Sequence, residues 1–501
     1  MLVFRGAPPQ VVWCLLLFSS LGCVVRAQAP RSEPMARPEG PPTGPAPRVV
    51  VVGGGIAGLA AAYELEKHGV RAHVLEASES WGGRVQTAHY EQGLEAEFGL
   101  QELWEGNPLL DIARELGVEL DGEAEPAYSS VMLDGRLIPF VQRTTDDYFA
   151  SFLTTSEKQA LDDFLALARE LEGEAKAQGL GSPRVAALQD QSFAQWLEAS
   201  LPHVPAEWLR LTLECELGAS ARGFSALSGL LELHVFFDPM TRNFHVRGGN
   251  SRLMEAIAQH LTSEKTLSAR VTAIRRWVNE RGEARVAVTY LKDRRVETIE
   301  AERVIVTVPF TRLHQIDFRP SLSADRWAAI SSLGFGRYTV VHFVVDREAT
   351  PLWTMGDVAV TPVLTDGPLG VIYGVQQRPL PPGARQIFGL LVYKAEAAAF
   401  HMMPADQKER ALLDELEKLW PGFARHVHST HIYPYHPAAL AIWPVGRSPL
   451  DARSQLIRTP ELGTYLAGDW TLGSHSDHAA LSGLETARAV ASELASHRMT
   501  P

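Results

Sequence analysis

The feature that most constrains this chain is a glycine-rich turn between an apolar run and a helical pattern. Residues 49–58 read Val-Val-Val-Val-Gly-Gly-Gly-Ile-Ala-Gly, and the helical pattern continues through residues 59–65. In a G-x-G-x-x-G turn the first glycine permits the bend, the second lets backbone approach a pyrophosphate, and the third lets the helix pack on the strand. The residues in this turn are Gly53, Gly55, Ile56, Ala57 and Gly58. The sequence therefore predicts a dinucleotide at the helix N-terminus, where free N–H groups and the dipole favour an anion.

A second strand pattern supports this prediction. Residues 72–75 read Ala-His-Val-Leu and lead directly into Glu76, eighteen residues after Gly58. A carboxylate at the end of this strand is placed to accept hydrogen bonds from an adenosine ribose. Strand, helix, strand and acid in this order are far more specific than the glycines alone. They predict an α/β fold built on a Rossmann-type domain.

The segment after Glu76 indicates which dinucleotide is bound. Residues 76–85 read Glu-Ala-Ser-Glu-Ser-Trp-Gly-Gly-Arg-Val. This resembles the flavin-containing amine oxidoreductases, a family that includes monoamine and polyamine oxidases, L-amino-acid oxidases and plant-type carotenoid desaturases. The resemblance implies that FAD is the cofactor and that a second turn wraps it. The contacts carried over from that turn are Gly82, Gly83 and Arg84.

Later segments extend the resemblance over almost the whole chain. Residues 247–253 resemble the entry to the family's second cofactor-binding stretch, and residues 271–274 resemble the strand whose backbone meets the adenine. Residues 465–471 resemble the closing motif, whose acid contacts the ribityl chain. The helical pattern of residues 476–492 implies an N-terminus aimed at the flavin pyrimidine edge. The resemblance carries over these further contacts: Val271, Gly468, Asp469 and Ala479.

Chain length and the resemblance together predict two interleaved domains. At 501 residues the chain exceeds one simple core. The Rossmann-type FAD-binding domain is expected to be discontinuous and to comprise residues 48–105, 245–310 and 440–498. An α+β, amine oxidase-like substrate domain with a helical subdomain is expected over residues 106–244 and 311–439. Strand patterns at residues 338–346 and 386–393 are expected to form one wall of the substrate cavity.

The N-terminus is typical of an exported protein. Residues 1–27 combine Arg5 with an apolar run too short to span a membrane, which predicts a signal peptide and a secreted or periplasmic enzyme. Residues 28–47 are rich in Pro, Gly and Ala and predict a disordered linker. Two alternatives stay open. Translation from Met35 would leave a cytoplasmic enzyme, and lipidation at Cys23 would attach the protein to a membrane.

Composition and cysteine content limit which ligands and partners we expect. A formal net charge of −12 without a basic run argues against nucleic acid and leaves a small-molecule substrate. After removal of the signal peptide, Cys215 would be the remaining cysteine, so no internal disulfide is expected. Family members that tether FAD use a cysteine near a Pro-x-Gly turn, here residues 444–446, and this region has none. We therefore expect non-covalent FAD. The histidines between residues 426 and 436 match no metal-binding spacing, and no metal is expected.

The resemblance weakens at three positions that matter for chemistry. Many amine oxidases carry a lysine that assists the reaction with oxygen, and its position here falls on Val340. Oxygen or another acceptor is therefore expected to take the electrons. Two aromatic residues often frame the flavin in this family. Trp443 and His478 are the candidates here, although Ala439 lies nearer to the position that is more commonly aromatic. The competing interpretation is that Trp443 is packing and His478 caps a helix.

The resemblance implies an FAD-dependent oxidoreductase that oxidises a C–N bond of an amine or amino acid by hydride transfer to flavin N5. The alternative is an FAD-dependent C–C desaturase or dehydrogenase of an isoprenoid-like substrate. A non-enzymatic prenyl-binding relative is a third possibility, against which the intact cofactor motifs argue. No catalytic base is identifiable. Arg337 lies where it would hold the carboxylate of an amino acid if it pointed inward.

Overall fold

This computed structural model describes residues 48–126, 129–141, 144–236, 240–374 and 383–499. The predicted signal peptide and linker, together with Cys23 and Met35, lie outside the described residues, and export stays a prediction. Within those ranges no helix is both long and apolar enough to cross a lipid bilayer.

The predicted strand–helix–strand unit forms the centre of a five-stranded parallel sheet. In sheet order the strands are Glu264–Thr266, Ala72–Leu75, Val49–Val52, Arg303–Val306 and Thr464–Leu466. Numbered along the chain this is the order 3-2-1-4-5, which is the Rossmann order. The first strand is fully buried because both its faces are covered, as parallel sheets require.

The two faces of this sheet pack on different layers. Val49 and Val51 pack among helices, whereas Val50 and Val52 pack on a second sheet, because side chains alternate along a strand. The helical layer comprises Ile56–Lys67, Pro108–Glu115, Ser251–His260 and the long C-terminal helix His475–Met499. The second sheet comprises Arg295–Ala301, Ala284–Lys292, Arg270–Val278 and Asp317–Arg319.

A larger sheet forms the other half of the protein. Both predicted strands are present: Gly334–Asp346 begins earlier than expected and pairs antiparallel with Arg385–Tyr393. The remaining strands of this sheet are Val427–Ile432, His436–Ile442, Val371–Gly374, Val363–Leu364, Ser130–Leu133 and Arg136–Ile138.

The region between residues 144 and 236 is helical, as its periodicity predicts. The longest helix, Thr155–Gln178, begins at a capping box formed by Thr154 and Glu157. Trp196 and Trp208 are buried in the core of this region, in agreement with their interpretation as packing residues. The other helices here are Thr145–Ala150, Pro183–Gln189, Phe193–Ser200, His203–Leu217 and Ala226–Glu232.

Shorter elements connect these layers. The helices are Ala324–Ser331, Lys394–Met402, Ala405–Leu419, Ala452–Arg458 and Asp469–Leu472. The strands are Thr87–His89 with Glu95–Glu97, Leu103–Trp104 with Met240–Val246 and Leu120–Pro126, and Thr354–Met355 with Val358–Ala359. The parallel sheet draws strands from all three segments assigned to the cofactor domain. The domain boundaries themselves stay predictions.

Candidate functional site

A cavity of about 2560 Å³ lies between the parallel sheet and the larger sheet. All of the predicted cofactor contacts except Gly58 line it: Gly53, Gly55, Ile56, Ala57, Glu76, Gly82, Gly83, Arg84, Val271, Gly468, Asp469 and Ala479. These residues come from segments that lie hundreds of positions apart in the chain. The fold therefore brings the separate motifs to one surface.

The glycine-rich turn has the geometry that its sequence predicts. Gly53 has a φ of +110°, a backbone conformation that side chains with a Cβ rarely adopt. At Gly58 a Cβ would lie 1.9 Å from the carbonyl oxygen of Gly53, so this glycine serves the packing of helix on strand instead of touching the cavity. The N-cap, Gly55, offers no side-chain hydrogen bond, and no acid lies in the first helical turn. The helix N-terminus is thereby left to a ligand anion.

Glu76 is held rigidly at the cavity edge. One carboxylate oxygen accepts the N–H of Gly54 at 2.6 Å, and the other accepts the N–H and the hydroxyl of Ser78, each at 2.7 Å. These bonds fix the carboxylate at the end of the second strand, facing the cavity. The carboxylate that is predicted to accept hydrogen bonds from a ribose is therefore fixed at the cavity edge.

An ion pair that the sequence does not reveal joins the second turn to the closing motif. Arg84 Nη2 donates to Asp469 Oδ1 at 2.6 Å, and Arg84 Nη1 donates to Asp469 Oδ2 at 3.1 Å. Burial lowers the pKa of Arg84, but the Asp469 carboxylate outweighs it and the net shift is upward. The resemblance assigned these residues separate roles. Such a bidentate pair also orients both side chains toward the cavity.

The opposite wall of the cavity comes from the larger sheet. Tyr338 and Val340 of the strand Gly334–Asp346 line it, together with Leu391 and Tyr373 from neighbouring strands. Val340 is 3% exposed, so the position of the family's lysine carries a buried apolar side chain. Arg337 does not line the cavity, and its guanidinium lies over the ring of Phe335 at 5.0 Å.

Neither aromatic-frame candidate lines the cavity. Trp443 is 2% exposed, lies in the core, and donates its Nε1–H to Ser454 Oγ at 3.0 Å, so it is a packing residue. His478 does not line the cavity because its ring packs on Gly473 and its Nδ1 lies 2.8 Å from the carbonyl oxygen of Ser474. The small Ala439 lines the cavity on this side.

A charged group at the start of the C-terminal helix lines the cavity and was missed by sequence reasoning. His475 Nε2 lies 3.3 Å from Glu232 Oε2, and Glu216 and Asp477 face the same space. Burial lowers the pKa of His475, but the Glu232 carboxylate outweighs it and raises that pKa to about 9. The sequence shows that Glu232 and His475 exist but not that they are neighbours. Their contact forms only when the chain folds.

The clustered histidines of residues 426–436 do not converge. His426 Nδ1 lies 3.8 Å from Asp346, and His428 contacts the same carboxylate, whereas His436 lines the cavity. In the part of the chain that the structure describes, no group of three or more His, Cys, Asp or Glu side chains is placed to hold a metal ion. Tyr433 and Tyr435, which lie among these histidines, do not line the cavity.

The groups on the cofactor side of the cavity fit a flavin dinucleotide. A helix N-terminus with free N–H groups suits a pyrophosphate, Glu76 suits a ribose, and glycines leave room for close backbone approach. The cavity continues from these groups to the sheet wall without interruption. The cofactor and a substrate would therefore share one enclosed space.

Comparison with known proteins agrees with this geometry. Residues 56–491 match the model of the flavin containing amine oxidoreductase family. The flavin-dependent L-tryptophan oxidase RebO of Lentzea aerocolonigenes is 23% identical over 413 residues, covering 75% of this chain and 81% of RebO. Putrescine oxidase bound to putrescine has a TM-score of 0.73 at 22% identity, covering 89% of this chain and 99% of that one.

A second solved structure shows the same fold. Cyclohexylamine oxidase from Brevibacterium oxydans IH-35A has a TM-score of 0.71 at 21% identity, covering 90% of this chain and 100% of that one. The predicted fold class, a Rossmann-type domain with an amine oxidase-like substrate domain, is thereby confirmed. The chain is an FAD-dependent oxidoreductase and belongs to the flavin-containing amine oxidoreductase family.

Proposed function

We propose that this protein oxidises a C–N bond of an amine, with FAD bound non-covalently. When bound, FAD supplies the acceptor for the hydride equivalent that leaves the substrate's α-carbon, at flavin N5. The resulting imine hydrolyses to a carbonyl compound. The observation that carries the proposal is that the cofactor residues share their cavity with Glu216, Glu232 and Asp477.

Two ionised carboxylates on this wall can accept hydrogen bonds from a cationic substrate. Burial raises the pKa of Asp477, but the adjacent His478 outweighs it and lowers that pKa to about 2. His475 likewise lowers the pKa of Glu232 against the effect of burial. Both carboxylates are therefore ionised near neutral pH, but each lies beside a histidine whose pKa is raised, so a substrate ammonium ion would share these carboxylates with two imidazolium groups. Desolvation there lowers the pKa of the amine and favours the neutral form that hydride transfer needs.

An amino acid fits this wall less well. Its carboxylate would face three acidic side chains beside the protonated His475, and Arg337 is stacked on Phe335 outside the cavity lining. Like charges repel most strongly where water is scarce. We therefore infer a preference for amines over amino acids, although the relative RebO is named for an amino acid.

The proposal of non-covalent FAD rests on cysteine chemistry. Among the described residues Cys215 is the free cysteine, and burial raises the pKa of its thiol. A protonated thiol is a poor nucleophile, which disfavours a thioether to the flavin. Precipitation with acid should release all of the flavin into the supernatant, and flavin that stays with the protein pellet would overturn this part of the proposal.

The electron acceptor is inferred from Val340. Because a buried valine can hold no charged ammonium group beside the flavin, we propose slow reoxidation by oxygen. Air should restore the flavin band of the reduced protein slowly, and an artificial acceptor should restore it faster. Equal rates with both would contradict this inference.

The proposed function is tested by mixing the yellow FAD-loaded protein anaerobically with alkylamines, diamines and the matching amino acids. Bleaching of the visible flavin band by amines, with release of a carbonyl product, is the expected result. Bleaching by amino acids but not by amines would show that amino acids, and not amines, are the substrates. A protein that no amine or amino acid bleaches would favour the C–C desaturase alternative.

A further inference from the structure

A chain of hydrogen-bonding side chains runs from the cavity wall into the larger sheet. Tyr373 lines the cavity, and its hydroxyl lies 3.2 Å from His342 Nε2. On the other side of the imidazole, Nδ1 lies 2.6 Å from the hydroxyl of Tyr90. That hydroxyl in turn contacts the hydroxyl of Tyr433. Four side chains from separate segments thus form one continuous path.

Gly389 makes this path possible. Gly389 lies on the strand between those of His342 and Tyr373. In the sheet register it pairs with His342 on one side and with Tyr373 on the other. A Cβ at Gly389 would lie 2.3 Å from the ring of Tyr373 and 2.7 Å from its hydroxyl. Because that Cβ is missing, the tyrosine folds across the middle strand and its hydroxyl reaches the imidazole.

The path leads from the interior to the protein surface. His342 is 0% exposed and does not line the cavity, so Tyr373 forms the inner end. Tyr90 and Tyr433 are partly exposed without lining the cavity. Their chain neighbours, including Glu91, reach solvent. The outer end of the path therefore lies at partly exposed residues.

The groups around His342 keep it neutral. Burial lowers its pKa to about 3, with a smaller opposing effect of the Glu97 backbone carbonyl and a further lowering by His431. The phenols of Tyr90 and Tyr373 are also held protonated, since burial raises the pKa of each. A neutral imidazole has one donor and one acceptor nitrogen. Hydroxyl, imidazole and hydroxyl in series can therefore pass a proton on without holding it.

We propose that Tyr373, His342, Tyr90 and Tyr433 form a proton relay that releases the ammonium proton of the substrate to the surface. The inference rests on the proposed amine oxidation, since an amine that arrives protonated must lose one proton before its α-hydrogen leaves as hydride. The Tyr373 oxygen accepts that proton while its own passes to Nε2. The Nδ1 proton passes to Tyr90, the Tyr90 proton to Tyr433, and the Tyr433 proton to water. The amine keeps its lone pair, and no relay group changes its net charge.

The test is Tyr373→Phe, which removes the inner hydroxyl and keeps the ring. At about pH 7, anaerobic flavin reduction by an alkylamine should slow by about ten-fold or more, because proton loss becomes limiting. The kinetic effect of α-deuterium in the amine should shrink at the same time. Above about pH 10.5, where the amine arrives neutral, both the rate and the isotope effect should return to wild-type values.

Two variants separate the relay from a structural role. Tyr393→Phe is the matched control, since this buried hydroxyl in the same sheet donates to the Thr365 carbonyl oxygen at 2.8 Å and is not one of the four side chains of the path. It should leave the rate and the isotope effect unchanged. Gly389→Ala should reproduce the Tyr373→Phe defect by displacing the tyrosine, with no ionisable group removed.

A readout without turnover comes from the imidazole ¹⁵N signals of His342 in the resting protein. Tyr373→Phe should shift its Nε2 signal, and Tyr393→Phe should not. If amines bleach the wild-type flavin and Tyr373→Phe slows reduction equally at every pH, or not at all, the relay is wrong while the function stands. If no amine bleaches the wild-type flavin, the proposed function fails and the relay falls with it.

Discussion

The two sides of the cavity are built by different physical means. The cofactor side depends on backbone: positive φ at Gly53, a helix packed through Gly58, and an open helix N-terminus. The rest of the cavity depends on side chains from distant segments, such as the His475–Glu232 pair and the path from Tyr373 to His342. The first kind of surface is fixed within a few residues of sequence. The second exists only once the whole chain has folded, and it is where members of one family can differ in substrate.

The largest effect should come from breaking the pair that ties the cofactor side together. Arg84→Ala leaves the Asp469 carboxylate, 3% exposed, without its cation. An uncompensated buried charge should lower the free energy of unfolding by about 3 kcal/mol and prevent FAD retention. Denaturant unfolding and the flavin content of the purified protein measure both.

The matched control for this change is the solvent-exposed pair of Arg319 and Asp317. Arg319→Ala should cost less than about 0.5 kcal/mol and leave the flavin content unchanged. Equal losses in the two variants would show that the Arg84–Asp469 pair has no special role.

A smaller loss is expected from the turn itself. Gly58→Ala places a Cβ against the Gly53 carbonyl oxygen, and the helix must shift away from the strand. Overpacking of this kind should lower the free energy of unfolding by about 2 kcal/mol and weaken FAD binding. Gly173→Ala is the control, since nothing lies within 4 Å of a Cβ there and Gly173 sits inside a helix. It should stabilise the protein by about 0.5 kcal/mol.

The charged wall should add a pH dependence of its own. Because the pKa of His475 is raised to about 9 in the folded state, its contribution to stability is complete below about pH 6.5 and is lost as the pH rises through 9. Solvent screening limits this contribution to about 1 kcal/mol. Unfolding midpoints of wild type and His475→Gln should therefore converge between these pH values. Parallel curves would contradict the pairing.

The smallest effect is expected at Trp443, for which the sequence left both a flavin-framing and a packing role open. Trp443→Phe removes one hydrogen bond to Ser454 and should lower the free energy of unfolding by about 1 kcal/mol. Flavin content and the rate of amine-dependent bleaching should stay at wild-type values. A slowed bleaching rate would return Trp443 to the substrate site.

The contrast between local backbone motifs and contacts of distant side chains explains which features the sequence could predict. The glycine turn, Glu76 and the closing Gly468–Asp469 motif were readable because spacing along the chain fixes their geometry. The contact between Arg84 and Asp469 was not, since it spans 385 positions and each residue already had a role in the resemblance.

The direction of the Trp443 side chain could not be predicted, for a related reason. Distance from a turn does not determine which way a side chain points after a strand ends, and the Trp443 indole found a buried hydroxyl partner in Ser454. The charged wall and the relay gave no local signal. Glu232, His342 and Tyr373 are ordinary residues of helix and strand until the fold places Glu232 beside His475 and the sheet register places Tyr373 near His342.

The central claim is that one side of the cavity holds FAD and the other selects the amine. The most direct test measures FAD affinity and the amine concentration for half-maximal flavin reduction in one variant, Glu232→Gln. We predict unchanged FAD affinity and an amine half-saturation raised about ten-fold, equivalent to about 1.4 kcal/mol. Weakened FAD binding with unchanged amine dependence would show that this wall serves the cofactor, and would contradict the account.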